Sequence, residues 1–448
     1  PEALVNKGNA LLGLGRIEDA VPCYEQALRL APGHSNANYN LGNAYMDLGE
    51  FGKAVESYRA ALMADAKNPE KHFNLANALM MADRLEESLP RFECALNLRP
   101  DYVDALCNHA SALQSLGRTE EALARLQKAL AFQPDSVDLH WNLALAALQH
   151  GDYKTGWREY EWRWQMPTFA DFRRDFEAPA WIGEPLDGKT LFVHTEQGFG
   201  DNLQFCRFIP LVAAKGARVV LECRPQLRRL FATLEGAADL IDLGDAVPDC
   251  DYQIPLMSLP FAFATELDTV PADVPYLTVP AGTKPAPQIA AAEGLKVGFA
   301  WAGSPTRVDN EKRSIDLGLL APLFEVPDIS FFSLQVGPRR EQLAELGNDR
   351  IVDLTDEFSD FGDTAASVTA LDLVISVDTS ILHLAGALGR TAWGMMSQPT
   401  GFLWMNDRAD SPWYPSLRLF RQDTPGRWQG VVSAIRDELT KLTGRAAG

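Results

Sequence analysis

The sequence predicts a fold in two parts: an α-helical solenoid of five repeats, then two α/β units with parallel strands. Three observations predict it. Small and large residues recur with a period of 34 over the first third of the 448-residue chain. From Lys189 onward, short apolar runs alternate with helical stretches, the βαβ pattern of parallel sheets. A Pro-rich stretch with Pro280, Pro285 and Pro287 divides that series in two.

The repeat can be read position by position. Gly8 and Gly42 are followed by Ala76, Ala110 and Ala144. Ala20 and Ala54 are followed by Ser88, Ala122 and Gly156. Large side chains return as Tyr24, Tyr58, Phe92, Leu126 and Tyr160, small ones as Ala27, Ala61, Ala95 and Ala129. Pro32, Pro100 and Pro134 close three units, and Gly15, Gly49, Asp83, Gly117 and Gly151 mark the turn inside each. Each unit therefore reads as two antiparallel helices. Small residues let the helices approach, and the turn residue supplies a backbone with positive φ. The pattern resembles the tetratricopeptide repeat (TPR), here five copies over residues 1–166. In the fifth, Arg163 stands where Ala27 would recur, among Trp157, Tyr160, Trp162 and Trp164. Terminal repeats depart from consensus because one face lacks a neighbouring repeat. The aromatic cluster is read as the seam to the following region, with a ligand-stacking box as its rival.

Asparagine recurs at one position in all five units: Asn6, Asn40, Asn74, Asn108 and Asn142. That position lies on the first helix, which lines the concave face of a TPR solenoid. A side-chain amide donates and accepts, so a row of them can pair with a peptide backbone of any sequence. The arrangement resembles the asparagine ladder of the O-linked N-acetylglucosamine transferases and implies a protein acceptor. Alternatively, Asn9, Asn43 and Asn77 cap or brace the helices.

Residues 167–188 lose helical periodicity and read as a connector, with Pro167, Pro179, Trp181 and a turn at Asp187-Gly188. A first α/β unit follows over 189–280, with strands at Leu191–Val193, Arg218–Leu221 and Asp251–Pro255 and helices at Leu203–Ala214 and Pro225–Leu234. After a linker at 281–295, a second unit over 296–448 has strands at Lys296–Trp301, Ile329–Gln335, Leu371–Val377 and Thr391–Met396. Its helices lie near Leu317–Phe324, Arg339–Leu346, Thr364–Ala370 and Ser380–Leu388. These are two Rossmann-like domains with a cleft between them. Ligands of such sheets bind outside the carboxyl ends of the strands.

Three motifs stand at those ends. The first, His194-Thr195-Glu196-Gln197-Gly198-Phe199-Gly200-Asp201, follows the first strand. Its glycines allow a tight turn and close approach to a ligand; Asp201 falls at the start of a helix, where Asp commonly serves as N-cap. The second runs from Leu373 to Gly389. A strand ends at Asp378, Thr379 and Ser380 open a helix, and His383 lies one turn in. Exposed N–H groups and hydroxyls at a helix N-terminus suit a phosphate. The third is Trp301-Ala302-Gly303-Ser304 with Lys312 and Arg313 nearby, a phosphate-sized turn beside two cations. Gln335, at the end of the next strand, is a candidate contact for a nucleotide base. Asp249-Cys250-Asp251 has the spacing of a metal-binding DxD but reads as the approach to a strand.

Together these segments resemble the GT-B glycosyltransferases, in particular the heptosyltransferases and their TPR-linked relatives. The likeness covers about residues 189–446 and is carried by Gly200-Asp201 and by Asp378-Thr379, His383 and Gly389. It implies an inverting, metal-independent transfer. Asp201 would be the base, with Ser304, Lys312, Arg313, Gln335, Asp378, Thr379, Ser380 and His383 on the donor nucleotide. The amide row and His194 would face the acceptor. A solenoid fused to a sugar-transfer region also resembles the bacterial enzymes that modify flagellin Ser/Thr with nonulosonic acids. The expected co-substrate is a CMP-, UDP- or ADP-sugar, with no cofactor or metal. The rival readings are a lipopolysaccharide heptosyltransferase-like enzyme and a non-catalytic TPR scaffold with a degenerate transferase fold.

Composition limits the choice. The 41 basic and 60 acidic side chains leave a charge of −19, against a nucleic-acid partner and a polyanionic membrane surface. Residues 1–168 carry 16 basic and 22 acidic side chains, so the greater part of the excess lies in the α/β region. An anionic ligand there needs local positive charge. With 46 % apolar residues the chain can bury its cores. No apolar run is long enough to span a membrane, and no leader is visible, which implies a cytoplasmic protein. The six cysteines form no CxxC pair and read as small buried side chains.

Overall fold

The computed structural model describes residues 1–305, 310–398, 400–406 and 408–444. The chain divides into two compact units, Pro1–His150 and Gly151–Gly448.

The first unit is a run of helix pairs, from Glu2–Gly13 with Ile17–Leu30 to Val103–Ser115 with Thr119–Phe132, ending in Val137–His150. The expected left-handed turns are present. Gly15, Gly49 and Gly117 have φ of 71°, 72° and 75°, and Asp83 takes the same role at 59°. The small residues explain the close packing. A Cβ on Gly8 would lie 2.6 Å from the Tyr24 ring, and one on Gly42 equally close to Tyr58. Both tyrosines are almost wholly buried, and each hydroxyl donates at 2.7 Å to an asparagine, Asn9 or Asn43.

The second unit begins with the helix Tyr153–Tyr160. The repeat pattern assigns this helix to the solenoid, within residues 1–166. Its packing places it in the α/β unit instead. Trp157 and Tyr160 are buried there, with ring centroids 5.7 Å (Trp157–Phe205), 6.2 Å (Trp157–Trp413) and 5.6 Å (Tyr160–Phe402) apart. Trp413 Nε1 donates to the Tyr153 hydroxyl at 2.9 Å. Trp157 and Tyr160 are thus core packing, while Trp162 and Trp164 are only partly buried.

Two parallel sheets follow. The first contains β1 (Thr190–His194), β2 (Arg218–Cys223), β3 (Ala237–Asp242) and β4 (Tyr252–Pro255), in the order β3-β2-β1-β4. The second contains β5 (Leu295–Ala300), β6 (Ile329–Ser333), β7 (Ile351–Asp353), β8 (Leu373–Val377), β9 (Ala392–Met396) and β10 (Leu417–Arg421). Its order is β10-β9-β8-β5-β6-β7. In both sheets the order reverses beside the first strand, between β1 and β4 and between β5 and β8. Those are the switch points where doubly wound sheets open a crevice.

Strands β3, β7 and β10 are absent from the sequence reading. β3 and β7 lie at sheet edges, are only partly buried and carry aspartates, a residue type depleted in strands. The helix expected over Leu203–Ala214 starts earlier, as Phe199–Phe205, and resumes as Ile209–Ala214 after a 3₁₀ turn. Pro210 accounts for the break, because it cannot donate to the helical ladder. The helix Gln429–Leu442 returns onto the second sheet and buries Val431, Val432, Ile435 and Leu439 against its core.

Candidate functional site

The carboxyl edges of the two sheets meet. A Cβ on Gly200, in the helix after β1, would lie 2.8 Å from Cδ2 of His383, in the helix after β8. Phe199 packs on Phe361 with centroids 5.0 Å apart, and Arg229 Nη2 reaches Asp360 at 2.7 Å. The first two motifs, far apart in sequence, are therefore neighbours in space.

On the first edge, Gly198 is the N-cap and Asp201 the third helical residue. An Asp201 carboxylate oxygen accepts the Gly198 N–H at 3.0 Å, the return bond of a capping box. This bond orients the carboxylate at the start of the helix. The loop before it is anchored by a buried ion pair. Arg163 Nη2 and Nε donate to Glu196 at 2.8 and 3.1 Å, and Nη1 donates to Glu161 at 2.7 Å. Glu196 also accepts the Met257 N–H at 3.1 Å. This is why arginine replaces the repeat alanine at 163: the position now holds the first motif. Glu222, at the end of β2, accepts Arg174 at 2.7 and 2.8 Å and the Thr195 N–H at 3.1 Å.

On the second edge, Asp378 follows β8. Arg313 Nη2 lies 2.6 Å from its Oδ2, and His383 Nε2 lies 3.7 Å from its Oδ1. Burial opposes ionisation of Asp378, but Arg313, His383 and Trp404 outweigh it and hold the carboxyl well below the usual range. Thr379 caps the helix Ser380–Ala387 by accepting the Ile381 N–H at 3.3 Å, and Ser380, partly exposed, is its first residue. His383 is 4 % exposed. Its Nδ1 lies 3.1 Å from the Tyr414 hydroxyl, and its ring centroid lies 5.1 Å from that of Trp404. Burial pushes the Tyr414 phenol up to about 12, so it stays protonated near neutrality. The Tyr414 hydroxyl and the Asp378 carboxylate thus lie against opposite ring nitrogens of His383.

The third motif lies beside the same switch point. A cavity of about 390 Å³ is lined by Gly303, Pro305, Asn310, Gln335, Val336 and Arg339. Ser304 and Lys312 are exposed next to it. Another, of about 810 Å³, is lined by Gly151, Tyr153, Glu266, Asp268 and Arg408 and touches none of the motifs.

Several expected roles change. Arg313 is engaged by Asp378 and does not stand as a separate phosphate cation. Gln335 is buried; its Oε1 accepts the N–H groups of Trp301 at 3.0 Å and Ala302 at 2.8 Å, and its Nε2 donates to the Val336 carbonyl. It braces the turn after β5, so its amide is not a base reader. His194 is packed on Phe176 and bonded to Gln253 at 3.0 Å, not placed at an acceptor surface. Burial, with Arg174 nearby, lowers its pKa to about 3 and keeps it neutral. In the solenoid, Asn40 and Asn108 donate to Asn9 and Asn77 of the preceding repeat at 2.7 and 2.9 Å. Asn74 donates to Tyr39 at 2.7 Å. These three amides brace neighbouring repeats; Asn6 is exposed and Asn142 partly so. Asp251 bonds to Lys189 and to the Thr190 N–H at the mouth of β4. Among the described residues no group of three His, Cys, Asp or Glu side chains gathers as a metal site, and no helix is long and apolar enough to cross a membrane. No sequence pattern marks Tyr414 or Trp404 as neighbours of His383, or Glu196 as the partner of Arg163. Only the arginine that breaks the repeat pointed towards Glu196.

Residues 5–70 match the family Tetratricopeptide repeat, and residues 110–151 match TPR repeat. The N-terminal third is built of such repeats. Among curated proteins, Protein FlbA of Caulobacter vibrioides is 28 % identical over 330 residues, covering 66 % of this chain and 54 % of FlbA. The chain thus spans about half the length of that relative. Since Pro1–His150 is only a third of the chain, the likeness extends into the α/β unit. Similar solved structures include MamA from Desulfovibrio magneticus RS-1, 19 % identical, with TM-score 0.36, covering 38 % of this chain and 96 % of MamA. Another is YrrB, described as a TPR protein with an unusual peptide-binding site, 20 % identical, with TM-score 0.35, covering 38 % of this chain and 87 % of YrrB.

Proposed function

We propose that this protein is an inverting, metal-independent glycosyltransferase. It moves a sugar from a nucleotide-sugar to a Ser or Thr of a protein acceptor held by the solenoid. The observation that supports this most is the approach of Gly200, the chain neighbour of Asp201, to His383 in the helix that follows Asp378. In this reading Asp201, oriented by the Gly198 N–H, takes the acceptor hydroxyl proton as the oxygen attacks the anomeric carbon. The helix N-terminus at Ser380 stabilises the departing phosphate. The 390 Å³ cavity beside Gly303 takes the nucleotide base. The likeness to flagellin-modifying enzymes suggests flagellin as acceptor and an acidic sugar as donor. A thermal-shift panel of UDP, GDP, ADP and CMP tests this. One of them raises the melting temperature; a lone CMP response favours the nonulosonic donor and a lone UDP response the hexosamine. No response from any of the four contradicts the reading.

A second reading, a non-catalytic TPR scaffold, is favoured by two observations: Asp201 is engaged in a cap and Arg313 in an ion pair. Nucleotide binding without any transfer identifies it.

A further inference from the structure

The cations along these two edges are almost all neutralised by carboxylates. Arg163 pairs with Glu196, Arg174 with Glu222, Arg228 with Asp242, Arg229 with Asp360 and Asp363, and Arg313 with Asp378. Arg224 differs. It ends the turn after β2 as the N-cap of the helix Pro225–Phe231, at the carboxyl edge of the first sheet. Its guanidinium lies over the Phe199 ring, 5.4 Å from the centroid, and Nη2 donates to the Gln197 carbonyl. Gln197 lies in the loop before the helix of Asp201, and Phe199 is the first residue of that helix. Its Nε is buried and has no hydrogen-bond partner among the described residues, and no carboxylate there pairs with it.

We propose that Arg224 binds an anionic oxygen, carboxylate or phosphate, of a ligand entering between the two sheets. A guanidinium presents five donors in a planar fork matched to such groups, and the Phe199 face and the Gln197 carbonyl hold that fork in place. In a chain of charge −19 an anionic ligand needs a local cation, and Arg224 supplies one beside the first motif. The identity of the ligand rests on the sugar-transfer reading; the binding of an anion does not.

Titration calorimetry of the full chain with inorganic pyrophosphate, CMP and CMP-N-acetylneuraminic acid tests this. Arg224→Gln weakens the affected probes by about 10- to 100-fold, the loss of one charge-assisted bond, while Arg173→Gln, on the exposed connector, changes nothing. Arg224→Lys keeps the charge without the fork and falls between the two, which serves should Arg224→Gln fold poorly. Equal loss for CMP and the CMP-sugar assigns Arg224 to phosphate; loss confined to the CMP-sugar assigns it to the carboxylate. Binding of all three probes within about twofold of wild type in Arg224→Gln overturns the proposal, as does a wild-type protein that binds none of them. Anion binding through Arg224 without sugar transfer sinks the transferase reading and leaves this one standing.

Discussion

Replacing Gly200 with alanine probes the contact on which the site depends. The new Cβ would sit 2.8 Å from Cδ2 and 3.4 Å from Nε2 of His383, inside ordinary contact distance. The imidazole has little room to yield. It is 4 % exposed, lies against Trp404 and is held by the Tyr414 hydroxyl at 3.1 Å. Overpacking of this kind costs about 1–3 kcal/mol, and displacing the ring weakens a hydrogen bond worth about 1 kcal/mol. Alanine's better helix propensity returns up to about 1 kcal/mol. The net loss is about 1–3 kcal/mol, and the quantity that isolates the contact is the coupling. Urea unfolding of wild type, Gly200→Ala, His383→Ala and the double variant forms a cycle. Gly200→Ala destabilises the wild-type background and is neutral or stabilising once His383 is removed, giving a coupling of about 1–3 kcal/mol. A coupling within about 0.3 kcal/mol of zero refutes the claim that the two motifs touch.

How much of this was legible follows from the range of each signal. The turns were legible because positive φ selects residue type locally: Gly15, Gly49 and Gly117 satisfy it, and Asp83 is a tolerated exception. The buried strands β5 and β8 were legible as apolar runs. The edge strands β3 and β7 were not, because half-exposed strands carry polar residues. At the site, local pattern located the residues but not their partners. His194 and Gln335 each end an apolar run, yet a strand end does not tell whether a side chain meets ligand or protein. Here Gln253 takes one and the backbone of Trp301 and Ala302 takes the other. The reason for Arg163 lay 33 positions away, in Glu196, beyond the reach of periodicity.

Arg163→Met leaves Glu196 as an uncompensated buried charge and lowers the stability of the α/β unit by about 3–5 kcal/mol. Adding Glu196→Gln recovers much of that loss in urea unfolding; no recovery would show that the pair is not what holds the loop. The His194 pKa of about 3 has a consequence with a fixed sign. The unfolded chain gains a proton on this histidine as pH falls below about 6.5 and the folded one does not until about 3, so stability falls with pH across that window. Between pH 7 and 5 the loss is about 2 kcal/mol, and His194→Gln flattens that slope in unfolding measured at both pH values. In the solenoid, Asn43→Ala strands the buried Tyr58 hydroxyl and costs about 1–3 kcal/mol. Tyr58→Phe in that background restores part of it, and additive losses would argue that the bond contributes nothing.

The most direct test of the central claim is the intact mass of a Ser/Thr-bearing acceptor, flagellin first, after co-expression with this protein and a nucleotide-sugar supply. Wild-type protein adds the mass of the transferred sugar. Asp201→Asn, folded and still shifted by the nucleotide that stabilises the wild type, adds none. Equal modification of the acceptor by the two proteins would contradict the account.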